Sequence, residues 1–366
     1  MILRKINPVV KGKDISVKFP ENTKISAITD ELAKIISLEN LEIKSFYIGD
    51  VKILNPVISA PMAGISDNTY RIFAKIFGAS LVFSEMITSC GLIHKHEKSF
   101  ELSKISRFER PCAVQLFGSN PDIIAEAAKL IEGNADIIDI NMGCPVPKVL
   151  KTGSGGALLQ DPLLIGKIIK KIKNSIKIPV TVKLRLGWDL SDINIVKTSQ
   201  IAQDEGADAI SIHGRTVKQN YSGTADYEYI KKVIKLIKIP VIVSGDLNNA
   251  SKALFVYEST GCQGLMIGRA ARGNPQLFSD ILNVIFKKYN QTENENKFEI
   301  NFKKNDLMIQ YLKLLIEFKG EERACKEFRK ILGWAFKGRR DISETRKKFF
   351  EINNFEESKK ILNEMQ

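Results

Sequence analysis

No stretch of this chain reaches the ~18 consecutive apolar residues of a membrane-spanning helix. Nothing of signal-peptide length and polarity follows the basic residues between Met1 and Lys13. A cytoplasmic location with no membrane partner is therefore expected. Cysteine is scarce and scattered: Cys90, Cys112, Cys144, Cys262 and Cys325 are five in number and include no Cys-x-x-Cys pair. That argues against a disulfide framework and against a structural zinc site. Histidine is scarcer still, with only His94, His96 and His213 and no clustered carboxylates beside them, so no metal centre is expected. Proline accounts for 12 of 366 residues while 44% of the chain is apolar, enough to bury a large core and add a second, smaller domain.

Acidic residues are outnumbered, 42 Asp and Glu against 55 Lys and Arg, for a formal net charge of +13. The excess suggests a polyanionic partner such as nucleic acid. A general bias towards Lys, Ile and Asn is the competing explanation.

Between Pro56 and Gly268, eight short apolar runs recur, over residues 57–60, 81–84, 113–116, 137–140, 180–184, 209–212, 241–243 and 265–267. They are continuous rather than alternating, as in parallel strands covered on both faces. Helical patterns lie between them, over residues 122–131, 163–172, 196–205, 229–237 and 250–259. An internal echo supports the count. Ile176-Lys177-Ile178-Pro179-Val180 and Ile237-Lys238-Ile239-Pro240-Val241 each end a helix, break it with proline and open a strand. Asn134-Ala135-Asp136 and Gly206-Ala207-Asp208 likewise precede the fourth and sixth runs. Repeating βα units over roughly 230 residues predict an α/β fold, a TIM (β/α)8 barrel, with a doubly wound open sheet as the alternative.

The barrel is placed at residues 46–289. Polar residues 290–304 read as a linker. Apolar residues then return at helical spacing over 307–318, 328–336 and 349–362, predicting a small C-terminal helical domain at 305–366. Residues 1–45 form an extension of unassigned role, with one strand suggested at 15–19 and one helix at 25–38.

The run Asn141-Met142-Gly143-Cys144-Pro145 puts a thiol on a loop at the C-terminal end of the fourth predicted strand. Parallel α/β folds assemble their active sites at that end; a loop thiol without a role is the competing reading. The other strand ends carry Pro61-Met62-Ala63-Gly64, Glu85, Gln115, Lys183 with Arg185, His213 with Arg215, Ser244-Gly245-Asp246, and Gly268-Arg269. A purely structural barrel has no reason to gather a lysine, a histidine and an amide at one rim, whereas a site for a flat polar cofactor does. Gly245 and Gly268, on adjacent strands, predict a phosphate site, although glycine also serves plain turns. Asn274 ahead of Pro275 is expected to cap a short extra helix. Lys183 reads as an ion-paired residue, a Schiff-base lysine, or a fixed cation beside a ring that becomes anionic on reduction. Gln115 can donate and accept at once, which suits the edge of a flavin. His213 reads as a positioned hydrogen-bond donor rather than a metal ligand.

Six motifs, in order and at fitting spacing, resemble the tRNA-dihydrouridine synthases, most closely the bacterial B-type. They are Ala60-Pro61-Met62-Ala63-Gly64-Ile65-Ser66-Asp67, Gln115-Leu116-Phe117-Gly118, Asp139-Ile140-Asn141-Met142-Gly143-Cys144-Pro145, Lys183-Leu184-Arg185-Leu186-Gly187-Trp188, His213-Gly214-Arg215-Thr216 and Met266-Ile267-Gly268-Arg269. The likeness runs from about Tyr47 to the C-terminus. It implies an FMN-dependent enzyme that reduces the C5=C6 bond of selected uridines in tRNA with NADPH as electron donor. Carried over, it implies that Pro61, Met62, Ala63, Gln115, Lys183, His213, Ser244, Gly245, Asp246, Gly268 and Arg269 hold FMN and that Cys144 is the proton donor. Asn141 and Arg215 are then expected beside the substrate.

Lys148 and Lys151, on the loop after Cys144, are expected to meet tRNA phosphates, against a solvated loop as the plain reading. The window from Arg323 to Lys348 holds ten Lys or Arg against three acids, an excess of seven positive charges. Within it Arg329, Lys330, Lys337 and Arg346 are the expected tRNA grip. The chain is expected to act as a monomer. A flavin barrel acting on a free pyrimidine, and an RNA-binding protein without redox chemistry, are the competing functions.

Overall fold

The computed structural model describes residues 42–289, 303–339, 344, 347–349 and 352–364. The expected strand at 15–19 and helix at 25–38, and most of the expected linker, lie outside the described residues. Contacts divide the chain into a unit spanning Lys44–Ile285 and a second that takes in the residues from Phe286 onwards.

The first unit opens with a hairpin of β1 (Phe46–Ile48) and β2 (Val51–Ile53), turned at Gly49, whose φ of 56° favours glycine. Then come β3 (Val57–Ser59), β4 (Val82–Phe83), β5 (Ile87–Thr88), β6 (Cys112–Phe117), β7 (Ile137–Asn141), β8 (Val180–Arg185), β9 (Ala209–His213), β10 (Val241–Ser244) and β11 (Gly264–Ile267). The order across the sheet is β3-β11-β10-β9-β8-β7-β6-β4, every pairing parallel, with β5 adding to the far end of β6. A parallel bridge from Ile58 to Leu81 joins β3 to the start of β4 and closes the ring. The fold is an eight-stranded TIM-type barrel rather than an open doubly wound sheet.

The continuous apolar runs are explained by burial on both faces: every residue of β7 and β9 is buried. Ile58, Phe83, Ala113, Ile137, Ala209, Ile242 and Met266 pack in the interior, and Ile48 and Ile53 of the hairpin join that cluster. The helices start where the chemistry of their caps dictates. Asn120 accepts from Asp122 and Ile123 N–H ahead of Pro121–Ile131, Asp161 accepts from Leu164 N–H ahead of Pro162–Lys173, and Asn249 accepts from Lys252 N–H ahead of Ala250–Thr260.

The repeated aspartates also find a reason. Asp136 Oδ2 accepts from Cys112 N–H at 2.8 Å and Asp208 Oδ2 from Val180 N–H at 2.7 Å. Each carboxylate thus holds the first N–H of the neighbouring strand, a donor at the very edge of the ladder.

Beyond the barrel, the segment after Asn274-Pro275 is the 14-residue helix Gln276–Tyr289, not the short extra helix expected. A short helical turn, Arg269–Ala271, follows Gly268 directly. In the second unit, Lys304–Lys319 and Glu321–Ala335 form an antiparallel pair around Gly320, whose φ is 76°. Phe355–Glu364 packs on them. Leu312, Leu315, Phe328, Leu332, Phe349 and Leu362 are buried there, and Asn305 Nδ2 donates to Leu362 O at 2.7 Å.

Candidate active site

Side chains from six adjacent strands, β6 to β11, and the loops after them meet at the C-terminal mouth of the barrel. On β7, Asp139 is fully buried; its Oδ1 accepts from Thr181 Oγ1 at 2.6 Å and its Oδ2 from Gln115 Nε2 at 2.7 Å. Gln115 Oε1 accepts in turn from Asn141 Nδ2 at 2.9 Å. Asn141 Oδ1 then accepts from the N–H groups of Gly143 at 3.2 Å and Cys144 at 2.9 Å, a local turn of the kind asparagine favours. The loop thiol is thereby tied to the buried carboxylate through two carboxamides. Burial pushes Asp139 up to about 6, against the pull of Thr181, Gln115 and Lys183, and it remains ionised at neutral pH. Cys144 is half-buried. Burial raises its pKa, only partly offset by the Val146 backbone, Arg185 and Lys183, so the thiol keeps its proton at neutral pH.

Lys183 lies opposite Asn141 in the β7–β8 register. It is half-buried, and among the described residues it makes no hydrogen bond or ion pair. Burial and the neighbouring Arg185 lower its pKa to about 8. His213, at the end of β9, is pushed far below its ordinary range by burial and by Lys183, Arg185, Arg215 and Arg269. It is a neutral imidazole. The mouth therefore gathers four cations, Lys183, Arg185, Arg215 and Arg269, against three carboxylates, Asp139, Asp246 and Glu85, the last accepting from Gly64 N–H, a net positive setting that favours an anion.

The loop after β9 is built on two buried guanidiniums. Arg185 Nη1 donates to Thr216 O at 2.8 Å and Asn220 O at 2.7 Å. Arg215 donates to Ser222 O at 2.9 Å, Gly223 O at 2.7 Å and Asp246 Oδ2 at 2.7 Å. The loop carries Tyr221, half exposed, with its ring 4.1 Å from Arg269 Cζ and 5.5 Å from Arg185 Cζ. Sequence reasoning missed both Asp139 and Tyr221. The signal for Asp139 was a lone carboxylate in an apolar strand; Tyr221, on a loop, gave none.

The strand-end residues singled out from the sequence share this mouth, but several are used differently from the expectation. Pro61 and Met62 are half-buried and Ala63 exposed on the loop after β3, where Met62 N–H donates to Ser66 Oγ at 2.9 Å. Ser244 is buried, and Asp246 is held by Arg215 and by Ala225 N–H. A Cβ on Gly245 would lie 2.6 Å from His213 Cδ2, at a φ of 112°, so packing within the protein already requires glycine there. At Gly268 a Cβ would meet nothing nearer than Ala60 Cβ at 3.4 Å. Arg269 is exposed.

Asn141, expected beside the substrate, is 9% exposed and spends its amide on Gln115, the Met86 sulfur and the loop N–H groups. Arg215, expected to reach the substrate, is 2% exposed and fully engaged inside; an outward role would require breaking that scaffold. Lys148 and Lys151 are exposed, the first within the four-residue helix Pro147–Leu150 and the second at its C-cap. In the helical unit Lys337 is exposed, whereas Arg329 and Lys330 are half-buried and Arg329 donates to Ile352 O at 3.3 Å. Arg346 lies outside the described residues. Among the described residues no group of three or more His, Cys, Asp or Glu could hold a metal ion, and no helix is long and apolar enough to cross a membrane.

A closed parallel barrel with a protonated thiol at its mouth, beside an ammonium that makes no hydrogen bond or ion pair among the described residues, is a (β/α)8 architecture whose strand ends gather positive charge. A solved 2-naphthoyl-CoA reductase in complex with 2-naphthoyl-CoA shares the fold at a TM-score of 0.53 and 14% identity, over 66% of this chain and 52% of that one. This chain thus spans about half the length of that structure. Among sequences, the chain is 39% identical over 301 residues to a "Probable tRNA-dihydrouridine synthase" of Rickettsia conorii (strain ATCC VR-613 / Malish 7), covering 82% of this chain and 89% of that protein. It is 38% identical over 307 residues to "tRNA-dihydrouridine synthase B" of Vibrio parahaemolyticus serotype O3:K6, covering 84% and 94%. A family model described as "Dihydrouridine synthase (Dus)" matches residues 58–366. The chain belongs to the dihydrouridine synthase family.

Proposed function

We propose that this protein is a flavin-dependent tRNA-dihydrouridine synthase, which reduces the C5=C6 bond of uridines in tRNA with electrons from NADPH. The observation that carries the reading is the pairing, on neighbouring strand ends, of a thiol that keeps its proton with an ammonium that makes no hydrogen bond or ion pair among the described residues. The residues present fit FMN. The excess of cations favours an anion, and the surface at Gly268 is bare although protein packing does not require it to be. Lys183, His213, Arg269, Gly268, Ser244 and the loop Pro61–Ala63 would hold the group, with the second Gln115 N–H directed to its edge.

When bound, reduced FMN supplies a hydride for C6 of the uracil. Lys183, charged at neutral pH, stabilises negative charge gathered beside it. His213, being neutral, offers a hydrogen bond without competing for that charge. Cys144 Sγ holds the proton that C5 must receive, and a thiol with a raised pKa is in the right protonation state without an auxiliary base. A stacked uridine has to leave the tRNA fold, at a cost of a few kcal/mol, which Lys148, Lys151, Lys337 and their neighbours offset by contacts to phosphates. The helical unit is the part that holds the tRNA in this reading.

The test is dihydrouridine formation from NADPH in unmodified tRNA, with free uridine as the comparison. Faster NADPH consumption with tRNA is expected, and equal stimulation by free uridine would replace this function with that of a small-molecule reductase. Cys144→Ala should keep its flavin and reduce product formation by ~10² to 10⁴ fold; near-normal product would remove Cys144 from this role.

A further inference from the structure

We propose that Asp139 is a positioning residue that fixes the direction of a carboxamide relay ending on the backbone of Cys144. The role rests on the function proposed above, because it gives Asp139 a task only if Cys144 acts on a substrate. An ionised carboxylate can only accept hydrogen bonds, and a backbone N–H can only donate. Between these two fixed ends stand Gln115 and Asn141, whose amides could each face either way. Asp139 Oδ2 requires the Gln115 nitrogen at 2.7 Å. That leaves Gln115 Oε1 to accept from Asn141 Nδ2 at 2.9 Å, which in turn leaves Asn141 Oδ1 for Gly143 and Cys144 N–H. Reversing any amide sets donor against donor at one of the joints. Thr181 Oγ1, at 2.6 Å from Asp139 Oδ1, holds the carboxylate from the neighbouring strand. Asp139, Thr181, Gln115 and Asn141 are buried, so water cannot substitute for a missing partner among them.

The consequence is specific. Asp139 is remote from solvent and both its oxygens are taken up by Thr181 and Gln115, yet it decides whether the Cys144 loop has one arrangement or two. An acceptor, rather than a charge, is what the relay needs. Asp139→Val removes the acceptor at similar volume and frees the Gln115 amide to turn. Asp139→Asn keeps an oxygen towards Gln115 and can give its N–H to Thr181 Oγ1.

Hydrogen–deuterium exchange on the full, flavin-loaded protein tests this without reference to activity. In Asp139→Val the peptide spanning 141–146 should exchange roughly tenfold faster or more, while β8 and β9 keep their protection; Asp139→Asn should stay close to the unmodified protein. The kcat for dihydrouridine formation should fall in the same pattern, with the KM for tRNA nearly unchanged. Unchanged exchange over 141–146 in Asp139→Val, or equal loss of protection in both variants, would overturn the proposal. If Asp139→Val does not fold, Gln115→Met cuts the relay one link later and should loosen the same segment; no loosening there would be equally fatal. Should the unmodified protein form no dihydrouridine at all, the proposed function fails, while the exchange result still decides whether the relay exists.

Discussion

At the scale of single residues, two groups at the barrel mouth are displaced from their ordinary protonation in opposite senses by the same cause. Burial disfavours the charged form of each, so the Cys144 thiol holds its proton more tightly and the Lys183 ammonium less so. The sign has a measurable result. Lys183 is cationic below a pKa of about 8 and neutral above it, and an anionic ligand bound beside it favours the charged form. Flavin should therefore be retained through gel filtration near neutral pH and progressively lost as the pH rises past that value. Lys183→Met should show weak retention at every pH. Retention that is independent of pH in the unmodified protein would place the anion elsewhere in the mouth.

At the scale of elements, the loop between β9 and the helix Glu228–Leu236 owes its shape to Arg185 and Arg215, which bind four of its carbonyls. Arg215→Met leaves Ser222 O, Gly223 O and Asp246 without that partner, at ~1–3 kcal/mol for each acceptor that stays buried. A lower urea midpoint and faster tryptic cleavage after the exposed Lys218 are expected. Unchanged cleavage would mean that Arg185 alone holds the loop.

The elements themselves were legible in the sequence to different degrees. The eight runs were readable because strands buried on both faces leave no polar interruption, and the ends of the observed strands fall within a residue of those runs. The hairpin Phe46–Ile53 was not read, since three-residue strands are too short to establish alternation. The helix Asn68–Ile76 was also passed over, although Asp67, which caps it by accepting from Tyr70 N–H, was a usable start signal. In the site, glycines and charges at strand ends were visible by position. Arg215 was read as reaching outward because a guanidinium after a strand end looks the same whether it meets a ligand or its own loop.

At the scale of the molecule, the positive charge acts over distances that single contacts do not. With a net charge of +13, association with tRNA should weaken steeply with salt, the log–log slope changing by about 0.7 to 0.9 for each phosphate contacted. In the helical unit, Lys303, Lys304, Lys337 and Arg339, against the single acid Asp306, line a groove of about 560 Å³ together with Phe336. Lys337→Glu should weaken tRNA binding and lower the salt slope by about one unit, while flavin content stays as it was. An unchanged slope would exclude Lys337 from the interface.

The order of apolar runs, caps and prolines determined the alternation of parallel strands and helices by itself, because each signal acts on its immediate neighbours in the chain and each strand must be covered on both faces; closure into a barrel rather than an open sheet was decided by the pairing of Ile58 with Leu81. Sequence order also placed Cys144, Lys183 and His213 at the same rim, since every parallel strand ends on the same side. Only the tertiary structure decided what each side chain is paired with. Asp139, Gln115 and Asn141 come from two strands and Thr181 from a third, and the direction of their hydrogen bonds follows from contacts across the sheet that no local pattern encodes. The protonation of the thiol and of the lysine was settled in the same way, by burial and by charges brought in from distant parts of the chain.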